Sequence, residues 1–335
     1  MCAVAPLSLR LAVYNGRLFC FSFFYSSGRR LAPPRCGSAA QPALSMTTPR
    51  VLAVHDLCSF GRCSLTAAIP VISAMGIQVC PFPTAWFSNN LTYGTYHFTD
   101  FTPGMTAFMD KWQSLGYSYD AIYSGFLADA GQVAVVCDAV RRFGREGSLI
   151  VVDPAMGDDG KLYPVFKPAF VEEMRKLVAC ATVITPNYTE ACLLLDEPLP
   201  AEGELEAPDE AKLRRLFKGL AALGAKQTVI TSVPAGEGLI KVASFDAASG
   251  AYVERTTKRI PFSTCGTGDL FTSVMTGAML RGRSLAASAA LAMDFASYVI
   301  DFTYRAGSDW REGVQLEPCL GRLIDMAAAP EGAAS

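Results

Sequence analysis

The run SLIVVDP at residues 148–154 is short and almost wholly apolar, and it ends in an aspartate followed by a proline. The run ATVITPN at residues 181–187 repeats this pattern, with a threonine before the proline. Strands that helices cover on both faces read as continuous apolar runs, so both segments indicate central strands of a parallel sheet. Ligands of open α/β sheets bind at the carboxyl ends of the strands. We therefore predict that Asp153 and Thr185 face one crevice.

The same alternation continues on both sides of these two runs. Apolar, β-branched runs predict strands at 51–55, 77–81, 120–124, 148–153, 182–185 and 227–232. Segments of helical period predict helices at about 64–75, 104–115, 131–143, 167–179, 187–195 and 207–223. LIKVASF and AYVERTTKRI predict a small edge hairpin near 238–258. We therefore expect a three-layer α/β domain over 49–335, with a mostly parallel central sheet and helices on both faces.

Composition excludes several classes of protein. The chain has 335 residues, of which 51% are hydrophobic and 18% charged, an ordinary balance for a globular protein. With 29 Lys and Arg against 31 Asp and Glu, it has no broad cationic field for a nucleic-acid backbone. The 11 cysteines are scattered, without the paired spacing of zinc sites or of a disulfide framework. These features indicate a reduced, cytoplasmic protein.

Residues 1–48 differ from the rest of the chain. They contain five arginines and no Lys, Asp or Glu, and their apolar run at 18–25 is too short to span a bilayer. Two interpretations stay open: an organelle transit peptide, or a translation start upstream of the true one at Met46. In either case we expect a disordered leader, with import into an organelle only if the leader is real.

The segment STCGTGDLFTSVMTGAMLRG at 263–282 carries the strongest chemical signal. Two glycines interrupt regular structure, and an apolar helix of about 12 residues is predicted to start at Asp269. Backbone N–H groups at such a turn, with the helix dipole behind them, form an anion site that suits a phosphoryl group in transfer. An Asp beside this site can accept a proton from an attacking alcohol. The alternative, that Asp269 only caps the helix, stays open on these residues alone.

The context of this motif favours phosphoryl transfer. No G-x-x-x-x-G-K-[ST] sequence is present, so the chain is not a P-loop enzyme. The GTGD helix, combined with Asn187-Tyr188-Thr189-Glu190 after a central strand, resembles the ribokinase-like superfamily. In that superfamily the glutamate of N-x-x-E helps to organise Mg²⁺ through water, and the aspartate of GTGD is the catalytic base.

Six collinear motifs narrow the resemblance. They are VLAVHDLCSFGRCSLTAAIPVISAMGIQVCPFPTAWFSN at 51–89, YDAIYSGF at 119–126, VVDPAMGDDGKLY at 151–163, VITPNYTEACLL at 183–194, VITS at 229–232 and CGTGDLF at 265–271. In this order they resemble the pyridoxal/pyridoxamine kinases, over about 50 to 315. The resemblance implies ATP-dependent phosphorylation of the 5′-hydroxymethyl group of a B6 vitamer. It also implies Mg²⁺, with a monovalent cation as a further candidate, and a homodimer.

The resemblance also implies roles for individual residues. Catalysis falls to Asp269 as base and to the backbone of Gly266, Thr267 and Gly268. The vitamin pocket is lined by Asp56, Ser88, Asn90, Leu91 and Phe126. The nucleotide and its metal are contacted by Asp153, Asp158, Thr185, Thr231 and Ser232, and the metal by Glu190, Asp153 and Asp158. His55, by contrast, is expected to pack at the end of a strand rather than to take part in catalysis.

The sequence departs from the family in the vitamin pocket. Where many members have Ser-Asn-His-Thr, this chain has Ser88-Asn89-Asn90-Leu91, and Phe126 stands where a Tyr often follows the Gly. These changes concern the ring contacts and not the phosphoryl transfer. A hydroxymethylpyrimidine (phosphate) kinase of thiamine synthesis is the first alternative. A non-catalytic vitamer-binding protein is a weaker one, because the GTGD aspartate and glycines are all present.

Overall fold

The computed structural model describes residues 10–14, 17–21, 48–199 and 207–331. The chain divides into two units, Met1–Met46 and Thr47–Ser335. In the first unit, β1 (Arg10–Tyr14) and β2 (Arg17–Phe21) pair as antiparallel strands. The rest of the predicted disorder in the leader lies outside the described residues.

The second unit is built on a nine-stranded sheet. Its strands are β3 (Arg50–Cys58), β4 (Gln78–Phe87), β5 (Phe98–Asp100), β6 (Ala121–Ser124), β7 (Leu149–Val152), β10 (Val183–Ile184), β11 (Gln227–Pro234), β12 (Leu239–Asp246) and β13 (Tyr252–Lys258). They run in the order β13-β12-β11-β10-β7-β6-β3-β4-β5. The six strands from β11 to β4 are parallel, and antiparallel strands complete both edges. A separate small hairpin joins β8 (Gly157–Asp158) to β9 (Lys161–Leu162).

Helices cover both faces of the sheet. They are α1 (Leu65–Ala74), α2 (Thr102–Ser114), α3 (Ala130–Phe143), α4 (Ala169–Val178), α5 (Tyr188–Leu194), α6 (Glu210–Ala222), α7 (Thr267–Leu280), α8 (Leu285–Arg305) and α9 (Leu320–Ala328). Helices α2 to α6 pack on one face, and α1 and α7 to α9 on the other. The predicted three-layer α/β architecture is confirmed, including the edge hairpin, which is β12 and β13.

The central strands show why the sequence folds in three layers. In β7, Ile150 and Val152 belong to the core beneath α2 to α6, whereas Val151 belongs to the core beneath α1 and α7 to α9. Successive side chains of a strand point to opposite faces, so a strand buried on both sides must be apolar throughout. Because these strands are parallel, their carboxyl ends lie at the same edge of the sheet, where polar residues follow them.

Helix α8 is long and apolar enough by composition to cross a membrane. Half of the relevant stretch is buried inside the protein, and the helix packs against α7 and β12. The core helix of an α/β domain passes the same test of length and composition.

Candidate active site

The start of α7 forms an anion-binding turn. Gly266 precedes the helix in the left-handed conformation, with φ of 81°, and no side chain caps the helix. A Cβ at Gly266 would lie 2.1 Å from the carbonyl oxygen of Arg62, so only glycine fits. The first N–H groups of a helix have no partner within it. Those of Thr267, Gly268 and Asp269 are therefore available to a phosphoryl group.

Asp269 is the third residue of α7, and the N-terminal cap position is occupied by Gly266. The interpretation of Asp269 as a mere helix cap is therefore wrong. Its side chain is 17% exposed, and its Oδ2 accepts a 2.8 Å hydrogen bond from the backbone N–H of Ser64. Burial, with a smaller contribution from the nearby charge of Asp56, raises the pKa of Asp269 to about 6. A carboxylate with this pKa is ionised at neutral pH and is a stronger base than an ordinary aspartate.

Asp56 lies close to Asp269 and is almost fully buried. Its Oδ1 accepts a 2.6 Å hydrogen bond from the Ser64 hydroxyl, and its Oδ2 accepts a 3.3 Å bond from the Cys58 thiol. Burial raises the pKa of Asp56. Ser64 thus links both carboxyl groups, through its hydroxyl to Asp56 and through its N–H to Asp269.

Asp153 and Thr185 follow neighbouring strands, and both lie beside Thr272. Thr272 Oγ1 lies 3.3 Å from Asp153 Oδ2 and 3.0 Å from Thr185 Oγ1. Burial, together with the charge of Asp269, raises the pKa of Asp153 to about 8. A Cβ placed on Gly268 would lie 3.8 Å from Asp153 Oδ2, so the space before α7 opens onto this carboxyl group. Asp153, which is buried, and the neighbouring carboxyl group of Asp269 together form a site that favours a cation.

Glu190 is the third residue of α5, where it is buried and takes part in a capping box. Its Oε2 accepts a 2.8 Å hydrogen bond from the N–H of Asn187, and the Glu190 N–H donates a 2.9 Å bond to Asn187 Oδ1. Its Oε1 accepts a 3.0 Å bond from the N–H of Met156. Burial raises the pKa of Glu190 well above its ordinary value, and the charge of Asp153 adds to this. Each carboxylate oxygen therefore already has a backbone partner, which favours an indirect role toward a metal.

The other residues predicted for the nucleotide side lie at strand ends or in the small hairpin. Thr231 pairs with Asn187 across the ends of β10 and β11, and Ser232 is exposed with φ of 54° at an irregularity in β11. Asp158 is exposed on β8. Among the residues that the structure describes, no three acid, His or Cys side chains converge tightly enough to hold a metal ion alone. Glu190, Asp153 and Asp158 are therefore not a self-sufficient metal cluster.

The residues predicted to line the vitamin pocket are in different environments. Asn90 is buried, and its Nδ2 donates a 2.6 Å hydrogen bond to the carbonyl of Arg311, so its amide joins two distant segments. Leu91 is 38% exposed, directly after it. Ser88 is exposed and its hydroxyl accepts a bond from the N–H of His97. Phe126 packs against Phe166, with ring centroids 5.4 Å apart.

Three residues of the site were not predicted from the sequence to take part in binding or catalysis. Thr272 follows Asp269 by three positions, so helical period alone places both on one face of α7. Ser64 and His55 approach Asp269 from the other end of the chain, at 2.8 and 3.8 Å. For these two the sequence contains no local signal, because the contacts span more than 200 residues.

The crevice places N–H groups that have no partner within the helix beside a carboxylate of raised pKa, an arrangement that suits phosphoryl transfer to an alcohol. On this fold, such a site defines a ribokinase-like kinase of small molecules. A family model described as phosphomethylpyrimidine kinase matches residues 60–312, so the chain belongs to that family.

Among the individual relatives, several are pyridoxal kinases or were solved with pyridoxal. A Bacteroides thetaiotaomicron protein assigned as a phosphomethylpyrimidine kinase is 38% identical, with a TM-score of 0.81, over 88% of this chain and 99% of its own. Its orthorhombic form, with pyridoxal, is 39% identical over 83% of this chain and 96% of its own, with a TM-score of 0.78. The Lactobacillus plantarum pyridoxal kinase is 30% identical, with a TM-score of 0.76, over 84% of this chain and 98% of its own. A Deinococcus radiodurans pyridoxal kinase is 27% identical, over 79% of this chain and 91% of its own.

Proposed function

We propose that this protein transfers the γ-phosphoryl group of ATP to the 5′-hydroxymethyl group of pyridoxal, pyridoxamine or pyridoxine. The observation that carries the proposal is Asp269, a largely buried carboxylate within the first turn of α7. Its pKa of about 6 leaves it ionised at neutral pH, beside N–H groups with no partner in the helix. The similarity to pyridoxal kinases, and to a relative seen with pyridoxal, supports the choice of vitamer.

Proton transfer and charge stabilisation are assigned to separate groups. Asp269 accepts the proton of the 5′-hydroxyl as its oxygen attacks the γ-phosphorus. The N–H groups of Thr267, Gly268 and Asp269 donate to the phosphoryl oxygens, on which charge is spread in the transition state. Ser64 N–H holds Oδ2 of Asp269 during this step, so the carboxylate does not have to be ordered by the substrate.

The residues present also fit Mg²⁺ bound together with ATP. Mg²⁺ takes hard oxygen ligands and is usually held by one or two carboxylates plus substrate phosphates, so a three-residue protein cluster is not needed. We assign Asp153 as the carboxylate that contacts it, with Glu190 and Asp158 acting indirectly. When bound, the ion would neutralise charge on the β- and γ-phosphates. The ion would also reduce the repulsion between Asp153 and Asp269.

The second candidate function is phosphorylation of hydroxymethylpyrimidine or its phosphate. The description of the matching family favours it, and the acceptor is again a hydroxymethyl group on a nitrogen heterocycle. The catalytic groups described above would serve either substrate. The two functions therefore differ only in which ring the pocket accepts.

We also propose that the protein is cytoplasmic and acts as a homodimer. The eight cysteines within residues 48–199 and 207–331 are free thiols, as in a reducing compartment. Strand β5 is an edge strand whose three residues are exposed, and such an edge can pair with another chain. Light scattering after size-exclusion chromatography would measure the mass. A monomer at micromolar concentration would contradict the homodimer.

The boundary of the kinase domain is part of the same proposal. Because the second structural unit begins at Thr47, a chain that starts at Met46 should match the full chain in turnover and melting temperature. A large loss in either quantity would show that the preceding residues are needed by the kinase domain.

The acceptor group is tested with purified protein, ATP, Mg²⁺ and pyridoxal, with 5′-deoxypyridoxal as the matched control. We expect pyridoxal 5′-phosphate and stoichiometric ADP from pyridoxal, and no vitamer-dependent ADP from the deoxy analogue. Equal ADP release with both compounds would show that the 5′-hydroxyl is not the acceptor.

A further inference from the structure

His55 is a buried imidazole with no assigned role. It lies near the end of β3 and is 0% exposed. Neither Nδ1 nor Nε2 has a hydrogen-bond partner among the residues that the structure describes. A buried polar group without a partner is unfavourable, and natural proteins contain few of them. This unsatisfied ring therefore calls for a functional explanation.

The surroundings hold the ring in one orientation. Tyr123 packs edge-on against it, with centroids 4.3 Å apart and planes at 78°. A Cβ on Gly125 would lie 2.2 Å from Nδ1, so glycine leaves room for the imidazole. In this orientation Nδ1 lies 3.8 Å from Oδ1 of Asp269. The other oxygen of that carboxylate is the one held by Ser64.

The ring is neutral at physiological pH, because burial lowers the pKa of His55 to about 3. A neutral imidazole carries one N–H, on either Nδ1 or Nε2. Only the form with the proton on Nδ1 can donate to Asp269. A contraction of less than about 1 Å would bring the 3.8 Å separation into the range of an N–H···O bond.

We infer that His55 is a positioning residue that donates its Nδ1–H to Oδ1 of Asp269 when ATP and the acceptor fill the site. Together with Ser64 N–H, it fixes the plane of the carboxylate, and each oxygen keeps a further lone pair for the substrate proton. The proton of the substrate hydroxyl passes to Asp269, and His55 keeps its own. This inference rests on the proposed phosphoryl transfer.

The tautomer can be measured directly, since the chain contains only two histidines, His55 and His97. The protein is labelled with ¹⁵N in the imidazole rings, and a His97→Gln variant assigns the signals. With a non-hydrolysable ATP analogue and pyridoxal bound, we expect the protonated nitrogen of His55 to be Nδ1. Protonation at Nε2 in this complex would overturn the inference.

Substitutions provide the second test. His55→Phe keeps an aromatic ring against Tyr123 but has no donor, and His55→Asn places an amide near the position of Nδ1. His55→Gln is the matched control, with its amide nearer the position of Nε2. We expect His55→Phe to lower kcat about tenfold with the KM for ATP within about twofold, because the base is less well oriented. His55→Asn should recover most of the loss and His55→Gln should not.

Wild-type kcat in His55→Phe, or equal losses in all three variants, would overturn the inference. If the phenylalanine variant does not fold, the tautomer measurement on the wild-type protein still decides the question. Absence of turnover in the wild-type protein, with Nδ1 protonated, would instead count against the proposed function.

Discussion

The backbone N–H of Ser64 donates a 2.8 Å hydrogen bond to Oδ2 of Asp269, although 205 residues separate the two. Ser64 has a positive φ of 50°, and its hydroxyl binds Asp56 instead of capping its own helix. The start of α1 is therefore shaped around a carboxylate at the start of α7. A donor from the main chain holds the carboxylate that we propose as the base, whichever acceptor is bound.

Replacement of Asp269 by Asn tests its role as the base. Asn has almost the same shape and is equally suited to a helix terminus, but it cannot accept the proton of an alcohol. We expect kcat to fall roughly 10²–10⁴-fold, with a much smaller change in KM. Asp209→Asn, at the cap of α6, is the matched control and should retain full activity. Near-wild-type turnover by Asp269→Asn would remove it from the role of base.

The pH dependence of kcat/KM should report the raised pKa of Asp269. The base acts only when ionised, and burial raises its pKa from 3.8 to about 6. Activity should therefore be constant near pH 8 and fall to half near pH 6 as the carboxylate is protonated. Initial rates with saturating ATP and Mg²⁺ from pH 5 to 9 measure this decrease on the acidic side of the pH profile. Full activity down to pH 5 would mean that no group with such a pKa is needed.

Replacing the two glycines of the GTGD turn by Ala should have different effects, on stability for Gly266 and on activity for Gly268. Gly266→Ala places a side chain at positive φ and against the carbonyl of Arg62, so the free energy of unfolding should fall by more than about 2 kcal/mol. Gly268→Ala meets only Asp153 at 3.8 Å, so stability should change by less than about 0.5 kcal/mol. Its methyl group, however, occupies the space before Asp153, and kcat/KM should fall roughly tenfold.

Urea unfolding and steady-state kinetics on both variants check this contrast. A fully active Gly268→Ala variant would place the phosphoryl group elsewhere. Wild-type stability in Gly266→Ala would contradict the left-handed turn.

Leu91 should control the choice between substrates if it faces the ring. An apolar wall discriminates weakly between analogues, whereas a buried hydrogen-bonding group discriminates strongly. We expect the wild-type protein to accept several B6 vitamers with kcat/KM values within about two orders of magnitude. Leu91→Thr should change their ranking. Unchanged ratios for every vitamer would show that this exposed side chain does not line the pocket.

The fold could be predicted from the sequence wherever burial on both faces enforces an apolar run. Strands β7 and β10 lie within the predicted 148–153 and 182–185, and each of the other predicted strands and helices is present. Strand β5 gave no such signal, because all three of its residues are exposed at the sheet edge. The hairpin of β8 and β9, with two residues in each strand, is likewise too short for a periodic pattern.

The candidate site could be predicted where a strand end or a helix start determines the position of a residue. Asp153, Thr185 and Asp269 converge for this reason. Asn90 illustrates the opposite case: its amide reaches the carbonyl of Arg311, 221 residues away, and no local pattern encodes such a bond. His55 was expected to pack at a strand end, and it does pack against Tyr123, but its approach to Asp269 is visible only in three dimensions.

The most direct test of the central claim is a comparison of kcat/KM for pyridoxal, pyridoxamine, pyridoxine and hydroxymethylpyrimidine with the same purified protein, ATP and Mg²⁺. We predict that at least one B6 vitamer is phosphorylated with kcat/KM of at least about 10⁴ M⁻¹s⁻¹, and that it exceeds hydroxymethylpyrimidine by tenfold or more. A higher kcat/KM for hydroxymethylpyrimidine than for every vitamer would contradict the assignment to vitamin B6.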